Sequence, residues 1–200
     1  NTFGIGGYEL YEEFKIELKT RYQRLVEPIN LLPINGRIIR SEGTTNTHPK
    51  WNPNGKSFIY LSNKKNDYFG QTSLYLFNIE TFKEKKIISG VSSAATWHSN
   101  GNIIYYSKKP KYPNKNGSKF YDLYSYDIIT EKEERLTNES RAINPVFIKK
   151  DSTIAFISTY DGGQNLNIYN PKSNSYKKIT NFTERPMISH LGYDEVTNSL

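Results

Sequence analysis

Two patterns of apolar spacing divide the chain. Between Gly7 and Glu27, Leu10, Phe14, Leu18, Tyr22 and Leu25 recur at intervals of four, four, four and three residues. That is the period of one helix face, so an amphipathic helix is expected there. The run Gly4-Ile5-Gly6-Gly7 breaks the chain before it, and Pro28 is read as its end. Residues 28–47 read as a connector, with turns at Pro33 and Asn35-Gly36. Arg37-Ile38-Ile39-Arg40 reads as a short strand within it. From residue 48 the pattern changes. Runs such as Ser57–Leu61, Leu74–Phe77, Ile103–Tyr106, Leu123–Tyr126 and Ile154–Ile157 are rich in β-branched and aromatic residues. Asn, Asp, Gly, Ser and Lys separate them, which is the signature of many short strands.

Those strands repeat as a group. Pro49-Lys50-Trp51-Asn52-Pro53-Asn54-Gly55, Ala95-Thr96-Trp97-His98-Ser99-Asn100-Gly101 and Pro145-Val146-Phe147-Ile148-Lys149-Lys150-Asp151 each lead into a strand. A second element follows in step at Leu74-Tyr75, Leu123-Tyr124 and Leu166–Tyr169, each run closing on Asn or Asp. A polar turn and a closing strand complete each unit, at Thr81–Ile88, Thr130–Thr137 and Lys172–Thr180. Four short antiparallel strands in a unit of ~40–50 residues describe a propeller blade. The fold class is therefore all-β: a partial β-propeller of about three four-stranded antiparallel blades, preceded by an amphipathic α-helix. Residues 1–45 form the helix and linker, possible tail of an upstream domain. Blades are expected at 46–90, 91–139 and 140–183, with the start of a fourth at 184–200, opening at Arg185. Closed propellers use ~4–8 blades, so an open arc and a fragment of a longer protein are expected.

The repeat assigns roles to particular residues. Pro49, Trp51, Pro145, Phe147 and Trp97 stand on first strands, where the rings are expected to pack between neighbouring blades. Gly55 and Gly101 follow Asn in a turn that needs positive φ, and Asp151 opens the matching turn of the third unit without a Gly. Tyr75 and Tyr124 mark the third strands. His98 and His190 lie near first strands, and His48 just precedes one, so they are weak candidates to face a shared channel.

Composition narrows the function. The chain has 200 residues, 36% hydrophobic and 14% aromatic, with no Cys and three His. Thiolate zinc sites, disulfides and a Cys nucleophile are excluded. No apolar run approaches the ~18–20 residues of a membrane helix. The formal charge of +7 comes with Lys pairs such as Lys64-Lys65, Lys108-Lys109 and Lys177-Lys178, scattered among turns rather than clustered, so nucleic acid is not an expected partner. No Gly-x-Ser-x-Gly elbow is present; Gly90-Val91-Ser92-Ser93-Ala94 fails at its last position. Asp161-Gly162-Gly163 is a hairpin turn rather than a calcium loop. Adjacent carboxylates at Glu12-Glu13, Glu133-Glu134 and Asp194-Glu195 do not face each other. No catalytic, metal or cofactor residue is assigned.

Residues 49–62, Pro-Lys-Trp-Asn-Pro-Asn-Gly-Lys-Ser-Phe-Ile-Tyr-Leu-Ser, together with the Leu-Tyr-x-x-Asp and Leu-Thr elements, resemble the WD40-like (PD40) repeat of TolB-like β-propellers. The second unit departs from the repeat at His98, and the third at Phe147 and in its missing Gly. The resemblance implies a non-catalytic segment that binds proteins or peptides in the bacterial periplasm or cell envelope. Gly7–Tyr22 followed by Gly36-Arg37-Ile38-Ile39 also resembles the end of a peptidase-MA-like domain. That likeness implies the alternative, the propeller portion of a larger peptidase. Its catalytic domain would be zincin-type upstream, or prolyl-oligopeptidase-like downstream. No His-Glu-x-x-His motif occurs in the chain.

Overall fold

A computed structural model describes residues 4–30, 36–160, 162–184 and 186–200. Pro33, Asn35, Asp161 and Arg185, named above, lie outside them. The chain forms two compact units, Asn1–Arg40 and Ser41–Leu200.

The first unit holds α1 (Gly7–Asn30). The Glu9 carboxylate accepts a bond from the Gly6 amide at 3.0 Å and closes the helix start. The helix does not stop before Pro28 but carries it inside its last turn. Pro28 forfeits one main-chain bond, to the Arg24 carbonyl, and two further residues keep the helical path. Leu10, Phe14, Tyr22 and Leu25 on the apolar face are exposed. Residues 36–40 form no strand, contrary to the reading of Arg37–Arg40. Their main chain has no neighbouring strand to pair with, so β-branched residues alone do not make one.

The second unit is three four-stranded antiparallel sheets, the blades of an open, partial β-propeller. Blade 1 contains β1 (Asn46–Trp51), β2 (Ser57–Ser62), β3 (Ser73–Asn78) and β4 (Glu84–Ser89). Blade 2 contains β5 (Thr96–Trp97), β6 (Ile103–Lys108), β7 (Asp122–Asp127) and β8 (Glu133–Arg135). Blade 3 contains β9 (Ala142–Ile148), β10 (Thr153–Ser158), β11 (Asn165–Asn170) and β12 (Ser175–Lys178). Each sheet is ordered as its strands follow in sequence. Residues 186–200 add an isolated bridge, Asp194 to Ser199. They are tied to blade 3 by Asn144 to the Ser189 carbonyl and by Lys149 to Glu195.

Each piece of the sequence repeat closes a local hydrogen bond. Asn78, Asp127 and Asn170 end the third strands, and each side-chain oxygen accepts two amide bonds in the turn that follows. For Asp127 these bonds hold the carboxyl below its ordinary range. Thr137 and Thr180 close the fourth strands. Each hydroxyl accepts from the amide of Leu123 or Leu166 at 2.9 Å. Each also donates to Asp122 or Asn165 at 3.1 Å. Asn52 and His98 do equivalent work in the first turn, accepting from the amides of Asn54 (3.0 Å) and Asn100 (3.1 Å).

The first-strand prolines sit at β-bulges. Register slips between Thr47 and Lys50 in β1, and opposite Ala155/Ile157 in β9. His48 (φ 54) and Asn144 (φ 50) take left-handed conformations immediately before Pro49 and Pro145. A bulge leaves one residue unpaired, so the missing proline amide costs no ladder bond.

Blades stack by one rule: the first-strand ring packs back onto the blade before it. Trp97 joins the cluster of Ile59, Leu61 and Leu74, and its indole donates to the Lys50 carbonyl at 3.1 Å. Phe147 packs on His98 at 4.5 Å and stacks on Tyr105 at 5.8 Å. Trp51 departs from the expected inter-blade position and is 55% exposed. By the same rule it would need a blade preceding β1, and the described residues contain none. Its ring contact is Phe58 of its own blade, edge-on at 5.4 Å.

A polar contact locks the same joint. Asn52 is buried and donates to the Gly101 carbonyl at 2.8 Å. A Cβ on Gly101 would come within 2.6 Å of Asn52 Oδ1, whereas one on Gly55 meets open space. Both glycines have positive φ, +71 and +73 for Gly55 and Gly101. Gly55→Ala should therefore cost only the left-handed strain, about 1 kcal/mol. Gly101→Ala should cost at least about 1 kcal/mol more, through overpacking. Urea unfolding of the two variants checks the difference, and equal midpoints would refute the lock.

Candidate functional site

The inner strands converge on two adjoining cavities. The larger, 520 Å³, is lined by Trp51, Trp97 and Phe147 with Lys50, Lys149 and Tyr193 among others. The smaller, 160 Å³, is lined by His48, Pro49, Ala94, Ala95 and Pro145 among others. They share Lys50, Thr96, Val146, His190 and Leu191, so the three first strands and segment 190–195 frame one continuous hollow.

The bulges aim this lining. In a regular strand alternate side chains leave the inner face, but a bulge re-aims one of them. His48 sits at the β1 bulge and faces the smaller cavity with His190. Of the three histidines expected to face a shared channel, His48 and His190 line the smaller cavity and His98 does not. His98 turns toward blade 3, where its ring meets Phe147 and its Nδ1 holds the Asn100 amide.

The remaining sequence candidates lie elsewhere. Gly55, Gly101 and Asp151 belong to the first turns, and the missing glycine of the third turn is replaced by Ser152 at φ 53. Lys149 opens that turn in place of Asn52 and His98, and instead reaches Glu195 at 3.1 Å. Tyr75 and Tyr124 are buried in two equivalent polar boxes, which sequence reasoning did not find. In blade 1, Lys64 lies 4.4 Å over the Tyr75 ring and donates to the Tyr60 hydroxyl at 2.9 Å. Tyr60 and Lys64 both donate to Glu84. In blade 2, Lys108 lies 4.8 Å over Tyr124 and 2.7 Å from Glu133, which also accepts from Tyr106. Burial first, then the bond to and charge of Glu133, push the Tyr106 phenol far above its ordinary value. Burial and the charge of Glu84 raise Tyr75. Both phenols stay neutral donors. Blade 3 carries Phe156 edge-on to Tyr176 at the matching place.

Among the described residues no group of three or more His, Cys, Asp or Glu comes together to hold a metal ion. The walls of the inner hollow include rings, prolines and small aliphatics, with two lysines, Lys50 and Lys149, against one carboxylate, Glu195.

Comparison with known proteins agrees with the blade geometry. No protein-family model matches the sequence, and neither does any curated protein. Among solved structures, TolB from Acinetobacter baumannii is similar with a TM-score of 0.58 and 21% identity, over 76% of this chain and 36% of that one. A putative TolB from Agrobacterium tumefaciens gives 0.54 and 19%, over 70% and 50%. A puromycin-hydrolysing peptidase of Mycobacterium tuberculosis gives 0.54 and 12%, over 71% and 23%. The chain thus has the β-propeller fold, shared with TolB proteins and with a peptidase. It spans about a third to a half of the TolB structures.

Both Trp residues line the larger cavity, yet Trp97 is 5% exposed and Trp51 is 55%. Acrylamide should quench Trp51 emission several-fold more steeply than Trp97 emission. Stern–Volmer slopes of Trp51→Phe and Trp97→Phe separate the two. Similar slopes would contradict the described packing.

Proposed function

We propose that this propeller segment is a non-catalytic binding module that takes an extended protein or peptide segment in the hollow at its inner strands. One observation carries the reading: three first strands contribute Trp51, Trp97, Phe147, Pro49 and Pro145 to one continuous hollow. Rings and prolines supply contact area at low entropic cost, and an exposed Trp is a common anchor of protein recognition. The cationic excess at the rim favours a partner with acidic residues. Resemblance to TolB-like propellers supports a periplasmic or envelope setting. Among the described residues no helix is long and apolar enough to cross a membrane.

The second reading is the propeller part of a larger peptidase. The fold likeness to the mycobacterial peptidase supports it, but fold alone does not assign activity. In that case the same hollow would present substrate to a catalytic domain elsewhere.

Titration with ten-residue peptides rich in Pro and Phe, in acidic and basic versions, tests the binding role. The acidic peptides should shift Trp emission saturably. Trp51→Ala and Lys50→Glu should each weaken binding about tenfold. Absence of a saturable change with every peptide would overturn the reading. Cleavage of the peptides by the purified chain, read by mass spectrometry, would overturn its non-catalytic part.

A further inference from the structure

Apart from the inner hollow, a groove of 610 Å³ runs between blades 2 and 3. It arises from one rank of side chains. Tyr105, Ser125 and Glu134 pair in register across β6, β7 and β8. In blade 1 the equivalent rank is Ile59, Leu76 and Lys85, and Leu76 packs against the joint with blade 2. Ser125 replaces that bulk with a small residue, so the rank dips between Tyr105 and Glu134. The groove is therefore particular to this joint and not a general property of the repeat.

Its lining is set up to bind. Tyr105 is 5% exposed, lines the groove, and its hydroxyl has no hydrogen-bond partner among the described residues. The ring is buried but its hydroxyl is not sealed from solvent, so the groove leaves it free to bond water or a ligand. Burial pushes its pKa up to about 12, and the phenol stays a neutral donor and acceptor. Arg135 is anchored to Asp122 at 2.6 Å and donates to the Asn138 oxygen at 2.7 Å. That bond leaves the Asn138 NH₂ to donate. Tyr169 donates to the Asn174 oxygen at 2.9 Å, leaving the Asn174 NH₂ likewise. Glu134 stands at the rim without an ion pair among the described residues.

We propose that this groove binds a small neutral polyol, in particular a saccharide unit. Planar carboxylate, amide and guanidinium groups match vicinal hydroxyls, since each hydroxyl both donates and accepts. An anionic ligand would meet the unpaired Glu134. A cationic one would meet the Arg135 guanidinium and donors from Asn138 and Asn174. The volume lies within the range of small-molecule sites. The site is separate from the inner hollow and does not depend on the binding role proposed for it.

Saturation-transfer NMR on the full chain, with glucose, galactose and N-acetylglucosamine as probes, tests the site. At least one sugar should receive transfer at millimolar concentration. Tyr105→Phe keeps the ring on Phe147 and removes only the hydroxyl, so it should weaken binding about tenfold. Ser125→Leu restores the blade 1 filling and should abolish it. Glu134→Gln, at the exposed rim where folding is not at stake, should weaken binding severalfold. No transfer to any of the three sugars, or transfer unchanged in Glu134→Gln and Tyr105→Phe, would overturn the proposal.

Discussion

A four-stranded sheet has two faces, and a blade this small buries neither alone. Everything else in the second unit follows from how that problem is met. The first-strand rings Trp97 and Phe147 are each laid on the preceding blade, and the chain then presents a fresh face to the next. Trp97 shows the full arrangement: it fills the cluster around Ile59 and Leu74 and spends its indole N–H on the Lys50 carbonyl. Truncating such a buried ring costs about 3–5 kcal/mol, a large fraction of a typical domain's stability. Phe147 keeps the packing and gives up the indole bond, with His98 and Tyr105 as its neighbours.

Much of this architecture was legible because each repeat residue satisfies a local need. The Asn or Asp ending the third strand captures two turn amides, and the closing Thr captures a third-strand amide. Such residue types recur wherever the bond recurs, so the period shows directly in the sequence. The rest was less legible because it depends on neighbours. Trp51 holds the same repeat position as Trp97, yet its exposure is set by the lack of a neighbouring blade against it among the described residues. His98 and His48 differ in where they point because a bulge slips the alternation at one and a turn claims the other's Nδ1. Pro28 and Arg37–Arg40 followed local propensity, and propensity yields where one bond is cheap to lose or where no partner strand exists. The Tyr60–Glu84–Lys64 and Tyr106–Glu133–Lys108 boxes escaped notice because their members come from strands 2, 3 and 4 at unequal loop distances.

Those boxes also show how the blades diverge beneath a common frame. Blades 1 and 2 lay a lysine over a tyrosine ring, buried in blade 1 and half-buried in blade 2, and pair it with a carboxylate. Blade 3 reaches the same volume with Phe156 and Tyr176. An ion pair with its hydrogen bonds complete and an apolar pair of similar size are often close in stability, so exchange between them is tolerated. The groove rank diverges in a different way: Ser125 for Leu76 leaves space instead of replacing it.

The Asn52–Gly101 contact bears on modularity. Propeller blades look interchangeable, but this joint is keyed: one side offers a buried amide and the other must have no side chain to receive it. In blade 3 the strand register puts Ile148 at the place of Asn52 and Asp151 at the place of Gly101, and the turn itself runs from Lys149 to Ser152. A duplicated or transplanted blade 3 would therefore bring the wrong tooth to the blade 1 keyway, however well its strands paired. The order of blades in this chain is written into single atoms at their joints, and shuffling them means recutting both halves of each key.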